Sequence, residues 1–215
     1  MTEIAEVPVR QLVLVDTNCY IRLHYAPLRP ILGTAVGRYD LLTLPSLLDE
    51  FKNSDRLMAN YAWVDAAMTP EHRAIAAVAL SDAEVREIRS QIKDLQLYAH
   101  AILTAHCKRE MIDLRQLSRR DIELLAAGIT LKAKIATDEW PLTLVINNLL
   151  EDPDDYCIEA ITSVHLLQMF YDDKKISLDD CRKTVIGWQQ DDEKLLRTWR
   201  KTYQLLFSER PPAPN

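Results

Sequence analysis

The stretch Gln11-Leu-Val-Leu-Val-Asp16 constrains this chain more than any other. Four consecutive apolar side chains leave neither the polar face of a half-solvated strand nor the stripe of an amphipathic helix. A run of this length suits a strand buried on both faces, as in a parallel sheet covered by helices. It stops at a carboxylate, and open parallel sheets gather ligands at the carboxyl ends of their strands.

The same pattern recurs. Tyr39-Asp-Leu-Leu-Thr-Leu44 reads as a second strand, and Pro45-Ser46 opens a helix from Leu47 to about Ala59. Ala133-Lys-Ile-Ala-Thr137 reads as a third strand and ends at Asp138 and Glu139. A short helix from Cys19 to about His24 follows the first strand. From Pro70 to Ala127 the text is helical: Ser81-Asp-Ala-Glu84 resembles a capping box, and Val85, Ile88, Ile92, Leu95 and Ala99 recur at helical spacing. Ser118-Arg-Arg-Asp121 opens another helix, in which Gly128 marks a close packing point. Strand, helix, strand, helical insertion, helix, strand predicts an α/β fold with a mainly parallel central sheet.

Beyond Leu149 the composition shifts. Glu151-Asp-Pro-Asp-Asp155 is a polar turn region, and three helices are expected over Cys157 to Tyr171, Leu178 to Gln189 and Asp192 to Phe207. Pro211-Pro-Ala-Pro214 is expected to fray. The reading is a domain over 1–150 with a helical C-terminal extension over 151–215.

Composition removes several function classes. Four glycines, with no G-x-x-x-x-G-K-[ST] and no G-x-G-x-x-G, exclude the common nucleotide-binding loops. Cys19, Cys107, Cys157 and Cys181 have no zinc-type spacing and read as reduced core residues. No apolar run approaches the ~20 residues of a membrane span, and Met1 to Arg10 does not resemble a secretory signal, so the expected compartment is the cytoplasm. A net charge of −6 argues against a broad basic surface. It leaves room for a local one, and Lys108, Arg109, Arg115, Arg119 and Arg120 supply a candidate patch close in sequence to an acid. The same charge suits a partner protein with a basic segment.

The chemistry-bearing residues are the acids. Asp16 ends the first strand, Glu50 lies in the helix after the second, Asp121 starts the helix leading to the third, and Asp138 with Glu139 follows the third. A parallel sheet can bring them to one edge. Clustered carboxylates repel one another, and the usual compensation is a hard divalent cation held by oxygen ligands. Such a site hydrolyses phosphodiesters without a Cys, Ser or His nucleophile.

Leu12-Val-Leu-Val-Asp-Thr-Asn18, Leu47-Leu-Asp-Glu50-Phe, Ser118-Arg-Arg-Asp121-Ile-Glu-Leu-Leu-Ala-Ala127 and Ile135-Ala-Thr-Asp-Glu-Trp-Pro-Leu142 stand in the order of the acidic motifs of PIN domains, and the chain resembles that family over residues 11–142. The resemblance implies a three-layer α/β/α nuclease that cleaves single-stranded or structured RNA with Mg²⁺ or Mn²⁺, often as the toxin of a toxin–antitoxin pair. It implies Asp16, Glu50, Asp121 and Asp138 as catalytic acids, with Asp16, Asp121, Asp138 and Glu139 as metal ligands. Asp138 is favoured over Glu139 as the fourth acid. Thr17, Asn18 and Thr137 would orient the acids or contact phosphate, and Arg119, Arg120 and Lys108 would bind the RNA backbone. The stretch between Glu50 and Asp121 is longer than in compact toxins of this family, which implies an extra helix.

Two other readings stand beside this one: a catalytically silent module binding RNA or protein, and a structure-specific DNA nuclease of related fold. An inhibitory antitoxin and a homo-oligomeric partner are both compatible with the C-terminal helices. His100, His106 and Cys107 lack the spacing of a metal pair on one helix face. His24, His72 and His165 read as structural or surface residues, and Trp140, Trp188 and Trp199 as packing residues.

Overall fold

A computed structural model describes residues 10–27, 32–67, 69–149 and 158–214. The leading apolar run forms β1 (Gln11–Val15), with Val13, Leu14 and Val15 all fully buried. Then follow α1 (Thr17–Leu23), β2 (Thr34–Val36), β3 (Tyr39–Leu42), α2 (Pro45–Asn53), α3 (Asp55–Ala67), α4 (Pro70–Ala76), α5 (Asp82–Glu110) and α6 (Arg119–Thr130). β4 (Lys134–Ala136), α7 (Trp140–Leu149), β5 (Ala160–Ile161), α8 (Ser163–Asp172), α9 (Leu178–Gln190) and α10 (Trp199–Phe207) complete the order.

The five strands lie in the order β2-β3-β1-β4-β5, all parallel except the β2 edge, which pairs antiparallel with β3. The pleat of β1 sends its side chains alternately to two cores. Val13 and Val15 join Leu41, Ala136 and Ile161 with α1, α8, α9 and α10 on one face. Leu14 joins Ile135 with α5, α6 and α7 on the other. Helices therefore cover both faces, which is why Leu12 to Val15 of β1 are all apolar. The crossover from β1 to β3 runs over the first face. From β3 the chain first adds Leu57 and Val64 of α3 and Ala76 of α4 to the first core, then reaches β4 through α5 and α6 on the second face, where α7 also makes the connection from β4 to β5. The chain thus reverses direction beside β1, which puts the place where open α/β sheets form their ligand crevice at the carboxyl ends of β1 and β4.

Several elements depart from the pattern. The helix expected over Leu47 to Ala59 is two helices, α2 and α3, with an extended break at Ser54. The described part of the helix expected over Cys157 to Tyr171 is β5 followed by α8, so the C-terminal segment adds a strand as well as helices. α7 and β2 are elements that the sequence pattern above does not include. The last helix starts at Trp199, not Asp192. The proline tail docks: Gln189 Nε2 donates to the Pro212 carbonyl at 2.9 Å. The polar turn at 151–155 and the boundary drawn at 150 lie outside the described residues. Among the described residues no helix is long and apolar enough to cross a membrane. Cys19, Cys107 and Cys181 are free and buried.

Both serine-led helix starts form capping boxes, Ser81 with Glu84 and Ser118 with Asp121. Gly128 is the close approach that its sequence context implied, since a Cβ there would lie 2.7 Å from Ile135 Cδ1. Gly33 is more constrained. Its φ is +78°, its N–H donates to the Leu41 carbonyl at 2.8 Å, and an added Cβ would lie 2.9 Å from the Ile75 carbonyl oxygen. Gly33→Ala is therefore expected to cost about 1–3 kcal/mol, read as a lowered urea midpoint; an unchanged midpoint would refute the account.

Candidate functional site

The crevice is built from strand ends and helix starts. β1 ends at Val15, whose carbonyl accepts the Thr43 hydroxyl at 2.7 Å, and the Asp16 N–H donates to the Ala136 carbonyl at 3.0 Å. These bonds tie the end of β1 to both neighbours and leave Asp16 on the crevice floor, 4% exposed. Thr137, the first residue past β4, is fully buried and donates its hydroxyl to Asp16 Oδ2 at 3.1 Å.

Two further acids arrive on helices. Asp121 sits in the first turn of α6, where its carboxylate accepts the Ser118 N–H at 2.7 Å. Glu50 projects from α2 and accepts the Thr17 hydroxyl at 3.0 Å. Arg120 joins the two helices, donating from Nη1 to the Ser46 carbonyl in the first turn of α2. That bond spends on the frame a cation expected to bind the RNA backbone. Arg109 is likewise engaged, with Glu110 and His106, while Lys108 and Arg119 remain exposed.

The paired acids after β4 part company. Asp138 turns inward, its side chain wholly buried, and Oδ2 meets Arg22 Nη1 at 3.0 Å and the Ser163 hydroxyl. Cys19 Sγ lies 3.6 Å from the same oxygen. Glu139 stands at the exposed rim, its backbone N–H donating to Thr137 Oγ1 at 3.1 Å and its carboxylate accepting Asn18 Nδ2 at 2.7 Å. The acid that shares the crevice with Asp16 and Asp121 is thus Glu139, whereas the favoured Asp138 is neutralised by an arginine.

The electrostatics agree with this division. Burial, then the charges of Asp121 and Glu139, push the Asp16 carboxyl up to about 8, against the opposing pull of Thr137 and the Thr17 N–H. Asp121 is raised chiefly by burial, with Glu50 adding to it and Ser118 opposing. Glu139 is raised by partial loss of hydration and by Asp121, while Arg22 and Lys194 pull it down. Four carboxylates from four elements therefore act on one another.

Arg22 and Lys194 escaped the sequence reading. Arg22 is 4% exposed, and besides Asp138 it reaches Glu193 Oε2 at 3.4 Å and donates to the Lys194 carbonyl at 2.7 Å. The available signal was an arginine inside the otherwise apolar Cys19-Tyr-Ile-Arg-Leu23, because buried arginines are nearly always paired. The histidines are structural: His165 caps α8, His72 meets the Tyr20 hydroxyl at 3.1 Å, and His24 packs edge-on against Tyr20. Trp188 and Trp199 are buried. A groove of about 370 Å³ beside α5 contains none of the four acids.

Among the described residues, no three His, Cys, Asp or Glu side chains form a ready cage for a metal ion. The donor set does suit a hydrated cation. Its donors are all oxygens, it is half open to water, and a Mg²⁺ ion keeps several waters and needs only one or two carboxylates. Compared with family models, curated proteins and solved structures, the chain matches none.

Proposed function

We propose that this chain is a metal-dependent endoribonuclease of PIN-like type, hydrolysing phosphodiester bonds in single-stranded or looped RNA. One observation carries the reading: Asp16, Glu50, Asp121 and Glu139, from four separate elements, act on one another at the sheet's reversal point, and among the described residues the floor acid, Asp16, has no salt-bridge partner, Arg22 acting on it only from a distance. Uncompensated carboxylates are costly, and a fold that gathers them has a use for a cation.

When bound, Mg²⁺ or Mn²⁺ supplies an acidified water and offsets charge on the phosphate. Asp16 and Asp121 are the deepest oxygen donors for such an ion. Thr137 fixes the Asp16 carboxylate, Thr17 fixes Glu50 and Asn18 fixes Glu139. These hydrogen bonds favour an orienting role for the three residues over direct contact with phosphate. Asp138 serves as the buried counter-charge of Arg22, outside the ligand set.

The test is cleavage of a labelled single-stranded RNA with Mg²⁺, Mn²⁺ or EDTA. Metal-dependent cutting is expected from the unmodified chain. Glu139→Gln keeps the size and the Asn18 contact but removes a charge, and is expected to lower kcat by about 10²-fold. Cutting that persists in EDTA, or Glu139→Gln at full rate, would overturn this assignment. A single-stranded DNA arm of the same assay decides between RNA and DNA as substrate.

A further inference from the structure

A polyanionic strand entering an acidic crevice needs cations beside it, and the patch expected near α6 is partly spent on Ser46 and Glu110. The connection from α9 to α10 carries a different set. It reads Glu193-Lys-Leu-Leu-Arg-Thr-Trp-Arg-Lys201, and Lys194, Arg197, Arg200 and Lys201 are all exposed. None of the four is ion-paired with another described residue; Arg200 stacks on the Trp199 ring at 4.7 Å.

This connection is held firmly against the site. Glu193 accepts the Tyr61 hydroxyl at 3.1 Å and the Tyr25 hydroxyl at 3.3 Å, and meets Arg22 Nε at 3.4 Å. Arg22 grips the Lys194 carbonyl while its other side holds Asp138, the residue before the rim acid Glu139. Lys194 uses only its backbone in this anchor, and its side chain is exposed.

We infer that Lys194, with Arg197, Arg200 and Lys201, forms the track that holds the phosphate backbone of a single-stranded RNA as it enters the acid crevice. The inference rests on the nuclease reading. Lys194 is the contact nearest the scissile phosphate, and the other three engage phosphates further along the strand. A row of backbone contacts gives affinity without sequence preference.

The experiment measures binding of a fluorescent single-stranded RNA by anisotropy in EDTA, where cleavage is silent, across a series of salt concentrations. The variants are Lys194→Ala/Arg197→Ala/Lys201→Ala, which spares the Arg200 stack, and a control on the exposed side of α5, Arg86→Ala/Arg89→Ala. Each lost phosphate contact lowers the slope of log K against log salt by roughly 0.7 for a single strand. The triple variant is expected to lose about 2 from that slope and about 10- to 100-fold in affinity at low salt. The control should stay within about twofold. In the cleavage assay, Lys194→Glu alone should raise KM more than it lowers kcat.

A triple variant that binds with an unchanged slope, or a control that loses as much, overturns the track while wild-type cutting leaves the nuclease standing. A wild-type chain that neither binds nor cuts RNA overturns both.

Discussion

Asp16→Asn is expected to abolish metal-dependent RNA cleavage, by at least about 10³-fold in kcat/KM, and at the same time to raise the melting temperature of the metal-free chain. Both effects have one cause. The buried carboxylate is costly to ionise without a cation and indispensable with one. Burial and two neighbouring acids lift its carboxyl from 3.8 to about 8. The folded state therefore holds this proton more tightly than the unfolded chain does. Its stabilising effect is complete below about pH 4 and is lost as the pH climbs to about 8. Asparagine escapes this loss and still accepts from the Thr137 hydroxyl. At about 1.4 kcal/mol for each pH unit between the two values, the ceiling on the gain is roughly 5–6 kcal/mol. Relaxation around the site lowers the expected gain to about 2–3 kcal/mol at pH 8. Denaturant unfolding in EDTA at pH 5 and pH 8 checks the sign: the gap between variant and wild type must widen with pH. A variant less stable than wild type at pH 8 would mean that Asp16 is compensated already.

Arg22→Met is expected to be the most damaging single change to stability, at about 3–5 kcal/mol. The side chains of Arg22 and Asp138 are 4% and 0% exposed. Among the described residues Asp138 Oδ1 has no hydrogen-bond partner, and the charge on that carboxylate is met at Oδ2 by Arg22, Ser163 and Cys19. Removing the guanidinium strands Asp138 and weakens the hold on Glu193, and breaking one half of a buried pair costs more than the pair contributes. The double variant Arg22→Met/Asp138→Leu should recover most of the loss, because it leaves no orphaned charge. Urea midpoints of the two variants decide the matter. A single variant costing under about 1 kcal/mol would show the pair to be incidental.

The parts legible in the sequence were those written in uninterrupted local signals. Residues 12–15 suit a strand buried on both faces and form one in which Val13 to Val15 are fully buried, and the serine-led starts at Ser81 and Ser118 both became capped helices. Asp16 is where a strand end places it. Other features depended on distant partners. β5 is two residues long, too short for any period to show, and exists because β4 offers it a parallel edge. α7, by contrast, carries a helical stripe, with Pro141, Leu142, Val145, Ile146 and Leu149 buried against α5 and α6 and Thr143, Asn147 and Asn148 on the other side, and this spacing was there to be read. The choice between Asp138 and Glu139 was undecidable locally. Adjacent acids look alike in sequence, and an arginine 116 positions upstream, with a serine 25 positions downstream, draws one of them inward. The rim lysine was hidden for the same reason, since its nearness to the crevice depends on the grip of Arg22 upon a backbone carbonyl.

The sharing of one core by β1 and the final helices bears on how the molecule is made. The face of β1 formed by Val13 and Val15 is covered by a cluster that includes Trp188, Trp199 and Tyr203, and the Trp188 indole donates to the Arg22 carbonyl at 2.7 Å. A nascent chain interrupted before residue 158 would carry all four crevice acids yet lack β5, Ser163 and the Glu193 turn. Contacts of such long sequence separation form late and slowly. The crevice would thus be set in its final geometry only once residues 158–203 have been made, which under the proposed nuclease function would keep a shorter nascent chain from cutting the message still being read.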